Sequence, residues 1–81
     1  MAVKVVKDSI SLDELKKTAQ EYFGSMVKAV VDVEREIMAV GAEFHADLEV
    51  VLMESEGSQR ENTWGINIYP DESEDTWIEF D

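Results

Sequence analysis

Apolar and polar residues alternate along residues 38–52, where every even position is apolar. Successive side chains of a β-strand point to opposite faces, so this period of two predicts a strand with one buried face. Extended over about 37–54, such a strand would span roughly 55 Å, more than a compact chain of this size allows. We therefore predict a long bent strand over about 37–54, with the bend or break near Gly41 or residues 45–47. A helix over residues 47–53, capped by Asp47, is the competing interpretation.

The strongest local signal lies nearer the N-terminus. Ser11 and Glu14 have the spacing of a helix capping box. The apolar residues that follow recur at helical spacing, and Gly24 stands where a left-handed C-terminal cap is expected. This pattern predicts a helix over about residues 12–23.

The alternation on both sides of residues 35–36 predicts a β-hairpin. A two-residue turn there pairs Val31 with Val40 and places the apolar residues of both strands on one face. Arg-Glu suits such a turn poorly, because tight turns favour asparagine or glycine. Further short strands are predicted at residues 3–7, 64–69 and 76–80.

These elements together predict one α+β domain over residues 1–81. A short N-terminal strand and one helix precede an antiparallel β-meander, and the helix packs on one face of the sheet. The meander leaves unpaired edges at residues 3–7 or 76–80, where a second chain can add a strand. The chain stops at Asp81 within a predicted strand, which is either a natural edge or the end of a shortened polypeptide.

The net charge of −12 lies entirely in residues 36–81. Residues 1–35 are neutral, whereas the remainder contains thirteen acidic residues and one basic residue, Arg60. Without a basic footprint, binding to nucleic acid or to anionic membranes is disfavoured. Such a surface attracts metal cations or basic protein patches, and otherwise serves solubility.

Several other classes of protein are excluded by what the sequence lacks. The chain has no cysteine, which excludes disulfides, thiolate nucleophiles and cysteine-based zinc sites. Its first residues lack the apolar run of a signal peptide, and no segment approaches the ~20 apolar residues of a membrane helix. We therefore expect a cytoplasmic protein.

The predicted long strand places four polar side chains in one row, roughly 7 Å apart: Glu43, His45, Asp47 and Glu49. Histidine and carboxylates suit Zn²⁺, Mn²⁺ or Fe²⁺, and Asp32 lies on the same predicted face. These residues are the candidate ligands of a divalent metal, and no other cofactor is expected. On a flat strand they diverge too far to share one ion, so a bend must gather them. Otherwise the row is a solvated face or docks a basic partner.

Tyr69 and Trp77 form a second candidate patch, predicted on the sheet face opposite the core. Neighbouring aromatic residues that face outward often mark an interface. The alternative is that a missing element or a second subunit covers them.

Four segments carry a resemblance to known sequences: MVKAVVDVEREIM at 26–38, AVGAEFHAD at 39–47, GSQRENTWGINIYP at 57–70 and WIEFD at 77–81. They resemble a family of small uncharacterised prokaryotic proteins catalogued as a domain of unknown function. The resemblance implies no activity, cofactor or catalytic residue. Members usually have glycine in place of Glu36 and continue past the position of Asp81 into a basic segment and a final helix. The resemblance thus implies that this chain lacks the family's C-terminal segment.

The sequence favours a non-enzymatic protein-interaction module that binds a protein partner or self-associates as a dimer. Two alternatives remain open. One is a small hydrolase centred on His45, which would use a metal-bound water with Glu49 or Asp32 as base. The other is an acidic nucleic-acid mimic that binds a basic protein.

Overall fold

The computed structural model describes residues 3–72 and 76–80. In this part of the chain, five strands form one antiparallel sheet in the order β1-β3-β2-β4-β5. The elements are β1 (Lys4–Val6), α1 (Leu12–Tyr22), β2 (Val27–Asp32), β3 (Ile37–Val40), α2 (His45–Glu56), a short 3-10 helix (Arg60–Asn62), β4 (Thr63–Ile68) and β5 (Ile78–Phe80). The predicted α+β class and the antiparallel sheet are confirmed, and β1 and β5 are the two edge strands. β4 pairs with β2 and not with β3, so the strand order is not that of the predicted meander.

Helix α1 begins and ends where the sequence predicted. The side chain of Ser11 accepts a hydrogen bond from the backbone N–H of Glu14 at 3.1 Å, which satisfies one of the free donors of the first turn. At the other end Gly24 adopts a left-handed φ of 86°, and its N–H donates to the carbonyl of Ala19 at 2.6 Å. Leu15 and Ala19 are the buried residues of the helix.

The long strand predicted over 37–54 is wrong beyond residue 40. β3 ends at Val40, and Gly41 then takes a φ of 102°, a conformation that costs glycine little. The predicted break near Gly41 is therefore confirmed. A straight strand of roughly 55 Å could not fit a molecule whose longest dimension is 31 Å.

The second half of the alternating segment forms helix α2, as the competing interpretation proposed. The helix is longer than the predicted 47–53, and its N-cap is Phe44, so the predicted cap at Asp47 is wrong. Leu48 and Leu52 are its buried residues, both 0% exposed. They are four positions apart, a spacing that places two side chains on one face of a strand and equally on one face of a helix. Gly57 ends the helix with a left-handed φ of 72°, and its N–H donates to the carbonyl of Leu52.

The sheet is covered by a helix on each face, which corrects the prediction of a single helix on one face. The core under α1 consists of Val6, Leu15, Ala19, Val27, Ala29, Val40, Ile66 and Ile68. The core under α2 consists of Val30, Ala39, Ala42, Leu48 and Leu52. Each fully buried leucine or valine contributes about 1.5–3 kcal/mol relative to an exposed one. The second core therefore adds substantially to the stability of a small domain.

The β2–β3 hairpin keeps the predicted faces but shifts its pairing by two residues. Val31 pairs with Met38, not with Val40. A shift of two preserves which side chains share a face, because the strand period is two. Residues 33–36 consequently form a longer turn than the predicted two-residue turn at 35–36.

This longer turn is organised by Asp32, the last residue of β2. One carboxylate oxygen, Oδ1, accepts hydrogen bonds from the backbone N–H groups of Glu34 and Arg35 at 2.9 and 3.0 Å. Such side-chain bonds replace the backbone bonds of a tighter turn. Glu36 closes the turn with a φ of 57°, a left-handed conformation that is costly for a residue with a Cβ.

No helix within residues 3–72 and 76–80 combines the length and the apolar character needed to cross a bilayer.

Glu36 provides a test of the strain in this turn. Replacing it by glycine removes the Cβ clash of the left-handed conformation, whereas replacing it by alanine keeps the clash. We expect Glu36→Gly to be more stable than Glu36→Ala by about 1 kcal/mol in the free energy of unfolding, measured by urea denaturation. Because both variants lose the same carboxylate, a more stable alanine variant would contradict the strain.

Candidate functional site

The four residues of the predicted acidic row lie at and just before the start of α2. On a helix, residues two positions apart point about 200° apart around the axis, so the row is dispersed. Glu43 and Asp47 are exposed, while Glu49 pairs through Oε1 with Nε of Arg60 at 3.1 Å. Across the described ranges, no group of three or more histidine, cysteine or acidic side chains is close enough to hold a metal ion. The structure does not bring these candidate ligands together.

His45 joins the start of α2 to strand β4. Its Nε2 lies 2.8 Å from the carbonyl oxygen of Ile66, and since a carbonyl only accepts, Nε2 carries the proton and donates it. The ring packs over Gly65, where an added Cβ would lie 3.3 Å from the ring atom Cδ2. Two segments that carry the family resemblance, His-Ala-Asp and Trp-Gly-Ile-Asn, therefore contact each other here. The geometry gives His45 a role in positioning the helix on the sheet.

Asp32, the further candidate ligand, is buried in the β2–β3 turn at 1% exposure. The nearby hydroxyl of Ser58 lowers the pKa of Asp32 most, although its geometry falls short of a hydrogen bond. The backbone N–H groups of Glu34 and Arg35 and the charge of Arg35 lower the pKa further, whereas burial raises it. Oδ2 lies 3.6 Å from Nε of Arg35. The carboxylate thus remains charged while supporting the turn.

The same arginine connects this turn to the end of α2. Nη2 of Arg35 donates to the carbonyl oxygen of Gly57 at 3.1 Å. A cation at a helix C-terminus stabilises the carbonyl groups that lack partners within the helix. Asp32 and Arg35 therefore hold the hairpin turn against α2, a structural role.

Tyr69 and Trp77, the predicted aromatic patch, lie on different surfaces. The hydroxyl of Tyr69 donates to Oε1 of Glu79 at 3.1 Å, and Glu79 pairs with Asn67 on the sheet face that carries α2. Trp77 instead packs against the core under α1. The prediction that both side chains face away from the core is therefore wrong for Trp77.

An apolar surface beside α1 is left uncovered. Directly opposed residues of antiparallel strands share a face, and Val31 pairs with Trp64 while Ile66 pairs with Phe80. Trp64 is 53% exposed and Phe80 is 74% exposed. We call this surface the open face; it comprises Val31, Met38, Trp64, Ile78 and Phe80, beside the buried Ile66.

A groove runs between α1 and the open face. Its volume is about 550 Å³ where Leu12, Ile66, Trp77 and Ile78 line it. A second groove of about 510 Å³ adjoins it, and the two share Ile10, Val31 and Met38.

Acidic residues border both grooves. Asp8 and Glu36 line one, Glu72 lines the other, and all three are exposed. The described lining of both grooves contains no lysine or arginine. We call these three carboxylates the acidic rim. An apolar floor with such a rim is suited to a ligand that is both apolar and cationic.

The sequence placed Trp64, Ile78 and Phe80 on the correct face, but it predicted that the helix would cover them. The signal that they remain open was available in part. Five strands about 4.8 Å apart form a sheet roughly 19 Å across, whereas one helix with its side chains is about 10–12 Å wide. One helix therefore cannot cover the whole face.

Fold and site together define a small α+β domain with a helix on each face of its antiparallel sheet and one apolar face partly open. Residues 4–81 match the model of a family described as "Protein of unknown function (DUF5674)", and the chain belongs to this family. The resemblance of the sequence to a family of unknown function is thereby confirmed. No curated protein and no solved structure matches the chain.

Asp32 predicts a specific acid sensitivity. Because its pKa is lowered in the folded protein, the carboxylate stabilises the fold above the unfolded pKa of about 3.9 and loses this effect as pH falls through the lower folded value. Asparagine keeps an oxygen acceptor but not the charge. We expect wild type to lose more stability than Asp32→Asn between about pH 6 and about pH 2.5, measured by urea unfolding. Equal losses would contradict the assignment.

The contacts of His45 predict that its replacement lowers the stability of the fold. His45→Ala removes the donor to the carbonyl of Ile66 and the packing over Gly65, so we expect the free energy of unfolding to fall by about 1–2 kcal/mol. His45→Gln retains a side-chain N–H and should lose less. Chemical denaturation of the three proteins at one pH measures the series. An alanine variant as stable as wild type would contradict the positioning role.

Proposed function

We propose that this chain is a protein-interaction module and that the open face is its binding surface. The observation that carries the proposal is the contrast between the two faces of β4 and β5. On the face of α1 these strands present Trp64, Ile66, Ile68, Ile78 and Phe80. On the face of α2 the same strands present Thr63, Gly65, Asn67 and Glu79.

The contrast supports binding because the sheet extends past its helix on both faces. Where the α2 side extends, polar groups such as Asn67 and Glu79 hydrogen-bond each other and tolerate water. Where the α1 side extends, large apolar side chains meet water at a cost of about 25 cal/mol for each Å² of apolar surface. Contiguous exposed apolar surface of this kind marks protein-binding sites.

The aromatic content of the open face also favours protein binding. Trp64 and Phe80 lie on its exposed part, and tryptophan in particular is enriched among the residues that dominate binding energy. Rings with few rotatable bonds lose little conformational entropy when a partner covers them. The open face is thus suited to bind the anchor residues of a partner.

Selection from a library of random 16-residue peptides tests this function. We expect peptides selected on wild type to bind at least 10-fold more weakly to the double variant Ile78→Ser/Phe80→Ser, because the variant removes two apolar contacts of the open face. Fluorescence anisotropy of labelled peptides measures the affinities.

A matched double variant provides the control. Phe44→Ser/Val50→Ser removes a phenylalanine and a β-branched aliphatic residue that are exposed on the other side of the sheet, at the start of α2 and along it. The selected peptides should bind this variant as they bind wild type. If they lose affinity equally for both variants, or for neither, the open face is not the binding surface.

A further inference from the structure

The α1 face of the sheet is wider than one helix, and part of it stays uncovered. The sheet is roughly 19 Å across between its outer strands, and α1 occupies about 10–12 Å of that width. Among the strands, α1 contacts mainly β2. The open face lies beside the helix and extends from Val31 and Met38 on β2 and β3 to Trp64, Ile78 and Phe80 on β4 and β5. The groove along α1 has a volume of about 550 Å³ and would receive the side chains of a second helix that lies beside α1.

The open face requires an occupant that satisfies its own backbone. The face of a sheet offers side chains and no free N–H or C=O groups, so an extended peptide lying across it would bury unpaired backbone groups. An α-helix bonds its backbone internally and presents one apolar stripe. A helix is therefore the favoured occupant of this surface.

The rim selects the charge of that helix. Asp8, Glu36 and Glu72 border the grooves, and the nearby Lys16 is already paired with Asp71 at 3.5 Å. Lysine or arginine residues flanking an apolar stripe would lie opposite these carboxylates. Residues 36–81 also carry the whole net charge of −12, which attracts a cationic partner over a longer range.

We infer that the open face binds a basic amphipathic helix of a partner protein, which lies beside α1 and completes the helical layer. The inference rests on the proposed function and specifies its partner. The apolar stripe of the helix packs on Trp64, Ile78 and Phe80, and its basic flanks face Glu36 and Glu72. The occupant thus buries the apolar surface and neutralises the rim in one step.

A second copy of this chain fits the same surface less well. A symmetric dimer through the open face would bring the acidic rim of one copy against that of the other. Juxtaposed like charges in an interface oppose association. The acidic rim therefore favours a partner of opposite charge over self-association.

The chain carries its own reporter of binding at this surface. It contains two tryptophans; Trp64 belongs to the open face, and Trp77 lines the groove beside it. Covering them moves their environment from water to apolar side chains, which shifts the emission maximum to shorter wavelength. Tryptophan emission is thus a direct measure of occupancy.

Three designed peptides of equal length test the inference. The first places leucine on one helical stripe and lysine elsewhere, the second replaces every lysine by glutamate, and the third shuffles the first to destroy the stripe. We expect the leucine–lysine peptide to shift the emission to shorter wavelength and to bind at least 10-fold more tightly than either of the others. Its affinity should fall as salt is raised.

Two charge-matched variants separate the rim from the overall charge. Glu36→Lys/Glu72→Lys reverses two rim carboxylates, whereas Glu43→Lys/Glu54→Lys makes the same change of net charge at exposed positions before and on α2. We expect the leucine–lysine peptide to lose at least 10-fold in affinity for the rim variant and much less for the other. Circular dichroism verifies that both variants are folded.

The outcomes separate this inference from the function on which it rests. If the lysine and glutamate peptides bind equally, or if both charge variants lose affinity equally, the basic partner is wrong and the binding module stands. If the shuffled peptide binds as tightly as the leucine–lysine peptide, the occupant is not an amphipathic helix and the inference is overturned. A shorter-wavelength emission that develops with protein concentration alone, with a dimer mass by light scattering, identifies a second copy and overturns the inference. If none of the peptides shifts the emission, the inference fails, and the library selection still decides the binding function.

Discussion

Strand β2 lies at the centre of the molecule because it pairs with β3 on one side and with β4 on the other while contacting both helices. Val27 and Ala29 enter the core under α1, and Val30 enters the core under α2. Small and β-branched apolar residues such as these suit a strand that is packed on both faces. The burial of β2 on two sides therefore determines where both helices lie.

The two faces of the sheet differ in the residues that their helices leave uncovered. α2 covers part of one face, and the strands beyond it present polar side chains that hydrogen-bond one another. α1 covers part of the other face, and the strands beyond it present aromatic and aliphatic side chains. A domain of this size has little apolar surface to spare, so the asymmetry is the strongest functional signal in the described structure.

The residues predicted as metal ligands are distributed among structural and surface roles. Glu49 pairs with Arg60, Asp32 organises the hairpin turn, and His45 positions α2 on β4. These contacts account for residues that the sequence grouped as metal ligands. The remaining carboxylates border the grooves or face water.

The sequence by itself determined the α+β class, both ends of α1, the two edge strands, the break near Gly41 and the family. Each follows from local rules of capping, alternation and chain length. Only the tertiary structure decided that residues after His45 form a helix, because Leu48 and Leu52 are spaced equally well for a strand. It also decided that the sheet is covered on both faces and that Trp64 and Phe80 stay open. Strand order and helix width set these features, and both arise from contacts between residues far apart in the chain.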